Sequence, residues 1–177
     1  MSFLLFKDNL FRRRETMNKL LPILLAILIT SCSTDTVDNN RQYNIDLAQD
    51  WMDNLFIHSD FESARSQMHS EFTFTYMGIT ETGGIPYTKD VFINDYLPIV
   101  GELLPNGIVL TTTDVIADEN GVALMQTGDS EGINGEYDNQ YVFTFKMKDG
   151  LIHTVEEFNS DLLVATRLYR NELLPLD

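Results

Sequence analysis

The sequence predicts an α+β fold, in which a curved antiparallel sheet wraps over three N-terminal helices and forms a cone with a pocket. Two observations predict it. Apolar residues recur at three- and four-residue spacing in three segments between Tyr43 and about Leu104, which is typical of amphipathic helices. From Ile108 onward they alternate with polar residues between turn sequences, which is typical of half-buried strands. A chain of 177 residues lies within the usual size of one domain, so we expect one core.

The N-terminal region carries the most specific motif of the sequence. Met17-Asn18-Lys19 is followed by an apolar run from Leu20 to Ile29, which is shorter than a membrane-spanning helix requires. The last residue of this run begins the motif Ile29-Thr30-Ser31-Cys32, which resembles the bacterial lipobox. We therefore expect residues 1–31 to be a signal peptide, with translation starting at Met17 or at Met1, and Met17 is favoured. The resemblance implies cleavage before Cys32 and lipidation of its thiol, with diacylglyceryl and palmitate as the lipid.

This interpretation sets the location and the chemistry of the mature chain. Residues 32–42 are polar and are predicted to form a lipidated tether, and residues 43–177 form the domain. The lipid would hold the protein in the cell envelope, on the periplasmic side of a bacterial membrane or at the cell surface. Cys32 is the only cysteine, so disulfides and cysteine catalysis are excluded. We expect no metal and no cofactor, because His58, His69 and His153 lack the spacing of zinc proteases.

Charge excludes one class of partner. Of the twelve Lys and Arg residues five precede Cys32, whereas only two of the 27 Asp and Glu residues do. The exported part is therefore strongly acidic and repels phosphate backbones. We expect no binding to nucleic acid, and the acidity is typical of a solvated surface.

The helices are predicted from their apolar spacing and their caps. The first begins near Tyr43, Asp60 caps the second, and the third runs from about Thr88 to Leu104 with a bend at Pro98. The apolar positions of the first two are Leu47, Ala48, Trp51, Met52, Leu55 and Phe56, followed by Phe61, Ala64 and Met68.

The strands follow from alternation and turns. One is predicted from Ser70 through Tyr76, and the others cover Ile108 to Ala117, Val122 to Thr127, Tyr141 to Met147 and Leu151 to Asn159. Between them, Asp118 to Gly121 is predicted to turn with positive φ at its last two residues, and Lys148-Asp149-Gly150 is a second turn. Ser160 is predicted to cap a final helix.

The segment from Tyr141 to Asp161 resembles the closing hairpin of the SnoaL-like proteins, which belong to the nuclear-transport-factor-two-like superfamily with a cystatin-like α+β fold. Its letters are YVFTFKMKDGLIHTVEEFNSD. The resemblance implies a pocket inside the curved sheet, and it implies functions that range from cyclases, isomerases and dehydratases to proteins that only bind. Alignment on the hairpin places the oxyanion-stabilising Asp of the proton-shuttling isomerases on Phe143, their carboxylate base on or near Tyr76, and their Tyr on Trp51 or Met52. This chain therefore has no carboxylate at those positions.

The last strand supplies the remaining candidates. Period two places His153, Val155, Glu157 and Asn159 on one face, which the family register turns inward. A register slip of one residue would put Thr154 and Glu156 inside instead. The predicted catalytic residues are Glu157, His153 and Tyr76. The predicted ligand-binding residues are Trp51, Tyr76, Phe143, Phe145, His153, Glu157 and Asn159.

Two functions follow from these candidates. The favoured one is a non-catalytic envelope module that binds a small hydrophobic ligand or a protein. The alternative is a small-molecule cyclase, isomerase or dehydratase that uses Glu157 and His153 as acid and base. Val142 and Phe158 on the outer face would support a homodimer, which is frequent in the resembling family.

Overall fold

A computed structural model of the protein describes residues 37–174. The chain divides into two units, Met1–Asn39 and Asn40–Asp177, and the second contains the folded domain. The predicted signal peptide, Cys32 and the first residues of the tether lie outside the described residues. Within residues 37–174, no helix is both long enough and apolar enough to cross a membrane.

Helix α1 covers residues 37–56, so it begins earlier than the sequence predicted. Residues 37–42, assigned to the tether, are helical. The side chain of Arg41 donates to the Ala117 carbonyl at 3.1 Å, and that of Asn44 donates to the Asp118 carbonyl at 3.1 Å. These bonds attach the start of the helix to the end of a strand. The predicted apolar face of α1 is buried, with Trp51 only 1% exposed.

Helix α2, Phe61–Ser66, has the predicted cap, because Asp60 accepts the backbone N–H of Ser63 at 3.0 Å. Met68 was predicted to be helical, but it begins strand β1, Met68–Tyr76. It pairs there with Ile152, a partner that helical spacing cannot reveal.

Helix α3 covers residues 89–103 and contains an irregular turn. Lys89–Val91 and Leu97–Leu103 are α-helical, and Phe92–Tyr96 between them forms a π-helical turn. The N–H of Leu97 bonds five residues back to the Phe92 carbonyl, and Pro98 has no N–H to restore the α pattern. The bend predicted at Pro98 is therefore a change of helical pitch just before it.

The main sheet has six strands in the order β2-β1-β8-β7-β4-β3. Their bounds are Met68–Tyr76 (β1), Tyr87–Thr88 (β2), Val109–Ala117 (β3), Gly121–Asp129 (β4), Gln140–Lys148 (β7) and Leu151–Phe158 (β8). Strands β5, Glu131–Gly132, and β6, Gly135–Glu136, form a separate hairpin. The α+β class and the curved sheet are confirmed, but the sheet is mixed, because β1 pairs in parallel with β8.

One of the two predicted turns has a different geometry. The turn at Asp118 has no positive φ at Asn120 or Gly121. Instead, the Asp118 carboxylate accepts their two N–H groups at 2.8 and 3.0 Å. The turn at Asp149 and Gly150 is as predicted, with φ of +53° and +75°.

A bulge in the last hairpin decides which side chains of β8 face inward. Thr154 pairs with Lys146, but Ile152 pairs with Met147, so the register shifts between them. Ile152 and Val155 are both fully buried, although strict alternation would put them on opposite faces. His153 is turned to the outer face as a result.

Helix α4 closes the domain with an α-helical part, Asp161–Leu163, and a π-helical part, Val164–Leu168. Ser160 stands at its start, but its side chain makes no capping hydrogen bond. The core lies between the inner face of the sheet and the helices. Trp51 is near its centre, with its ring 5.7 Å from that of Phe92 and 5.8 Å from that of Phe145.

Candidate functional site

An apolar cavity opens between the inner face of the sheet and helices α1, α3 and α4. Its empty space is about 760 Å³ including the open mouth, but only a small part of this space is wide enough for a water molecule. The cavity is therefore narrow. Its aromatic wall consists of Trp51, Phe56, Phe74, Phe92, Tyr96, Tyr137, Tyr141, Phe143 and Tyr169. The aliphatic wall comes mainly from α3 and the chain that follows it, and includes Leu97, Val100, Leu103, Leu104, Ile108 and Leu110.

Glu157 is the one carboxylate among the described residues that line this cavity. Strand β8 carries it inward next to Phe143, its partner across the β7–β8 ladder. Asn159 donates its side-chain N–H to Glu157 Oε1 at 2.8 Å. Burial raises the pKa of Glu157 to about 7, and the Asn159 bond offsets this only in part. A carboxyl with this pKa exchanges its proton near neutral pH.

Two polar atoms of the cavity wall are buried without a hydrogen-bond partner among the described residues. They are Nε1 of Trp51, a donor, and Oδ1 of Asn159, an acceptor. Buried polar atoms are normally paired, and leaving one unpaired costs about 1–3 kcal/mol. The wall therefore has spare hydrogen-bonding capacity, and Asn159 supplies part of it directly beside Glu157.

Tyr137 was missed by the sequence analysis. It lies in the acidic loop between β4 and β7, where the polar residues around it predict an exposed position. In the structure it is only 2% exposed and lines the cavity. Asn139 donates to its hydroxyl at 3.1 Å. Burial raises the pKa of Tyr137 to about 12, and burial together with the neighbouring Tyr137 raises that of Tyr141 further. Both hydroxyls therefore stay protonated.

Tyr76 lines the cavity as predicted, but its hydroxyl is already engaged. It donates to Asp161 Oδ1 at 2.7 Å, and the N–H of Ile79 donates to the same oxygen at 3.1 Å. Burial and this bond raise the pKa of Tyr76 well above its usual range. The contact joins the end of β1 to the start of α4 across Gly78, where a Cβ would lie 2.1 Å from Tyr76 Cζ. Tyr76 is thus part of the cavity wall, and its hydroxyl donates its hydrogen bond to Asp161.

The structure brings five of the predicted site residues together and separates two. The cavity is lined by Trp51, Tyr76, Phe143, Glu157 and Asn159. Phe145 is buried against Trp51, behind the wall. His153 lies on the other face of the sheet, because the β8 bulge turns it toward His69 of β1. The predicted pairing of His153 with Glu157 is therefore wrong, while the roles of the other residues stay predictions.

Comparison with known proteins gives matches in structure. No family model matches the chain, and no curated protein matches it. Among solved structures, a protein from Burkholderia xenovorans described as NTF2-like, the abbreviation for nuclear-transport-factor-two-like, is 13% identical. It has a TM-score of 0.59, and the match covers 72% of this chain and 97% of that one.

Two further structures carry functional names. TerC, co-crystallised with polyporic acid, is 20% identical with a TM-score of 0.62, over 72% of this chain and 98% of its own. A protein from Jannaschia, provisionally named a SnoaL-like polyketide cyclase, is 14% identical with a TM-score of 0.58, over 75% and 95%. At these identities the likeness concerns the fold.

Proposed function

We propose that this chain, which has the NTF2-like fold, is a binding module for a small apolar ligand that carries one polar group. The observation that supports it is the narrow apolar cavity with Glu157 at its wall. A mostly apolar pocket with a few polar groups is the usual design of a small-molecule site. TerC, which is similar in fold, was co-crystallised with polyporic acid, and this supports a search among small organic ligands.

The polar group of the ligand would lie at Glu157. A ligand that offers both a hydrogen-bond donor and an acceptor would satisfy the carboxylate and the unpaired atoms of Trp51 and Asn159. Its apolar body would pack on the aromatic wall, where each buried CH₂ contributes about 0.8 kcal/mol. We therefore expect slender aromatic or polyketide-like molecules with a hydroxyl or carbonyl to bind better than fully apolar ones.

Trp51 makes this testable, because it is the only tryptophan and it lines the cavity. Binding in the cavity should change its fluorescence and raise the melting temperature of the protein. Glu157→Gln should weaken the binding of a ligand whose polar group contacts Glu157. Glu156→Gln is the matched control, since Glu156 accepts a hydrogen bond from Thr144 and is absent from the cavity wall. If no compound of a broad library changes either the fluorescence or the melting temperature, the result would contradict the proposal and favour a protein partner.

The proposal includes attachment to a membrane through a lipid on Cys32, at the cell envelope. Its support is the apolar run that ends in Ile29-Thr30-Ser31-Cys32. Cells fed an alkyne analogue of palmitate should label the protein, and Cys32→Ser should abolish the label. Labelling that persists in this variant would refute lipidation at that residue.

A homodimer is a further prediction that stays open. Val142 and Phe158 face each other across the β7–β8 ladder and are 36% and 41% exposed, so they form a small apolar patch on the outer face. Val142→Asp should convert a dimer to a monomer in light-scattering measurements. A wild-type chain that is monomeric at high concentration would contradict the dimer.

Catalysis is the second candidate, and the raised pKa of Glu157 favours it. With His153 on the opposite face, Glu157 would have to act as both acid and base within one turnover, with the buried tyrosines as neutral hydrogen-bond donors. Once a ligand is found, product formation that Glu157→Gln abolishes while binding persists would establish an enzyme. Binding without any product would leave the module non-catalytic.

A further inference from the structure

Two histidines and a glutamate meet on the outer face of the sheet, away from the cavity. His69 and Glu71 lie two residues apart on β1, so they share a face, and His153 comes from β8. One ligand atom from each of the three lies within 4.8 Å of the others. The sequence does not reveal this cluster, because Glu71 and His153 lie 82 positions apart and only the parallel pairing of β1 with β8 joins them.

The spacing of the donor atoms resembles that of a tetrahedral metal site. His153 Nε2 lies 3.9 Å from Glu71 Oε2, and His69 Nε2 lies 3.6 Å from Asp149 Oδ2. Ligands at about 2.1 Å from a tetrahedral Zn²⁺ are roughly 3.4 Å apart. The three donors, at most 4.8 Å apart, need to approach one another by only about 1.4 Å to bind such an ion, and Asp149, although near His69, is not within this distance of all three.

The histidines are also held in position. Their rings pack edge to face at 5.3 Å, and the side chain of His69 is only 12% exposed. His153 Nδ1 lies 3.0 Å from Thr154 Oγ1, which leaves Nε2 on the side of Glu71. A ring fixed through one nitrogen and free at the other is the usual arrangement of a metal-binding histidine.

Two contacts oppose a metal and limit its affinity. Lys148 forms an ion pair with Glu71 and must give it up. His69 Nδ1 accepts the backbone N–H of Glu71 at 3.0 Å, so coordination through Nε2, which needs the ring proton on Nδ1, breaks that bond. The groups that would lose a partner, the Lys148 ammonium and the backbone N–H of Glu71, belong to exposed residues, so water can solvate them. We propose that His69, Glu71 and His153 bind a divalent transition-metal ion, with Zn²⁺ as the best fit to two imidazoles and one carboxylate.

Calorimetric titration with ZnCl₂ tests the site on the purified protein, prepared without a histidine tag and with no free thiol at Cys32. Glu71→Gln and His153→Gln should each weaken Zn²⁺ binding by about tenfold or more. His58→Gln is the matched control, because His58 is exposed and outside the cluster, and it should change nothing. Lys148→Met should tighten binding several-fold, since it removes the competing cation. Mg²⁺ should not bind, because it prefers oxygen ligands.

The outcomes separate a site from surface adsorption. Loss of affinity in both cluster variants, with gain in Lys148→Met, supports the proposal. Zn²⁺ binding that His153→Gln and Glu71→Gln leave unchanged overturns it, as does absence of binding to the wild-type chain. Circular dichroism verifies that each variant is folded. If His153→Gln does not fold, the affinity of Glu71→Gln for Zn²⁺ decides the test, because the Glu71 side chain is 65% exposed and its replacement should not disturb the fold.

Discussion

Replacing Glu157 by Gln removes the one carboxyl that residues 37–174 contribute to the cavity wall, while keeping the shape of the side chain. The pKa of Glu157 is about 7 in the folded protein, against an ordinary value of 4.5. The folded state therefore holds the proton more tightly than the unfolded state. The contribution of this group to stability is fully present below about pH 4.5, and it is lost as the pH rises through about 7.

The size of the effect follows from the two pKa values. Ionising the buried carboxyl lowers the free energy of unfolding by less than about 1 kcal/mol at about pH 5 and by about 3 kcal/mol at about pH 8. Glutamine has no such dependence and can still accept the Asn159 hydrogen bond. The stability of Glu157→Gln relative to the wild type should therefore rise by about 2 kcal/mol between these two pH values.

Urea unfolding of both proteins at each pH measures this difference, in which the pH dependence of the other carboxylates cancels. Glu156→Gln, which replaces the neighbouring residue outside the cavity, should show no comparable change in stability relative to the wild type between the two pH values. A gap between Glu157→Gln and wild type that is the same at both pH values would refute the reasoning. It would mean that solvent reaches the carboxyl and that the cavity does not desolvate it.

Two further predictions concern the contact between β1 and α4. Tyr76→Phe should lower the free energy of unfolding by about 2 kcal/mol, because Asp161 loses its hydroxyl donor; thermal or urea unfolding checks this, and an unchanged stability would contradict it. Gly78→Ala should destabilise the protein because its Cβ would overlap Tyr76 and Asp161, whereas Gly101→Ala in α3, with open space around it, should not. Equal melting temperatures for these two glycine variants would argue against the close packing at Gly78.

Much of the fold could be predicted from the sequence because it depends on local patterns. The apolar face of α1, the cap at Asp60 and the turn at Asp149 all follow from residue type and spacing. The site was predictable in part for the same reason. Trp51 and Phe143 line the cavity as their place on an amphipathic helix and an alternating strand implied.

The inward position of Glu157 also follows from period two, since no irregularity separates it from Val155 in the β7–β8 ladder. His153 is the extra residue of the β8 bulge, between Ile152 and Thr154, where alternation fails, so the same rule put it on the wrong face. A bulge leaves no mark in the pattern of residue types, because either register offers plausible polar and apolar neighbours.

The sequence by itself determined the α+β class, the acidic charge and the apolar character of the cavity wall, because each depends on composition or on spacing over a few residues. Tertiary structure alone decided which polar groups meet. The parallel pairing of β1 with β8 joined His69 to His153, and the packing around β8 desolvated Glu157. Such meetings depend on strands far apart in the chain, and the free energy of a buried charge depends on everything that surrounds it.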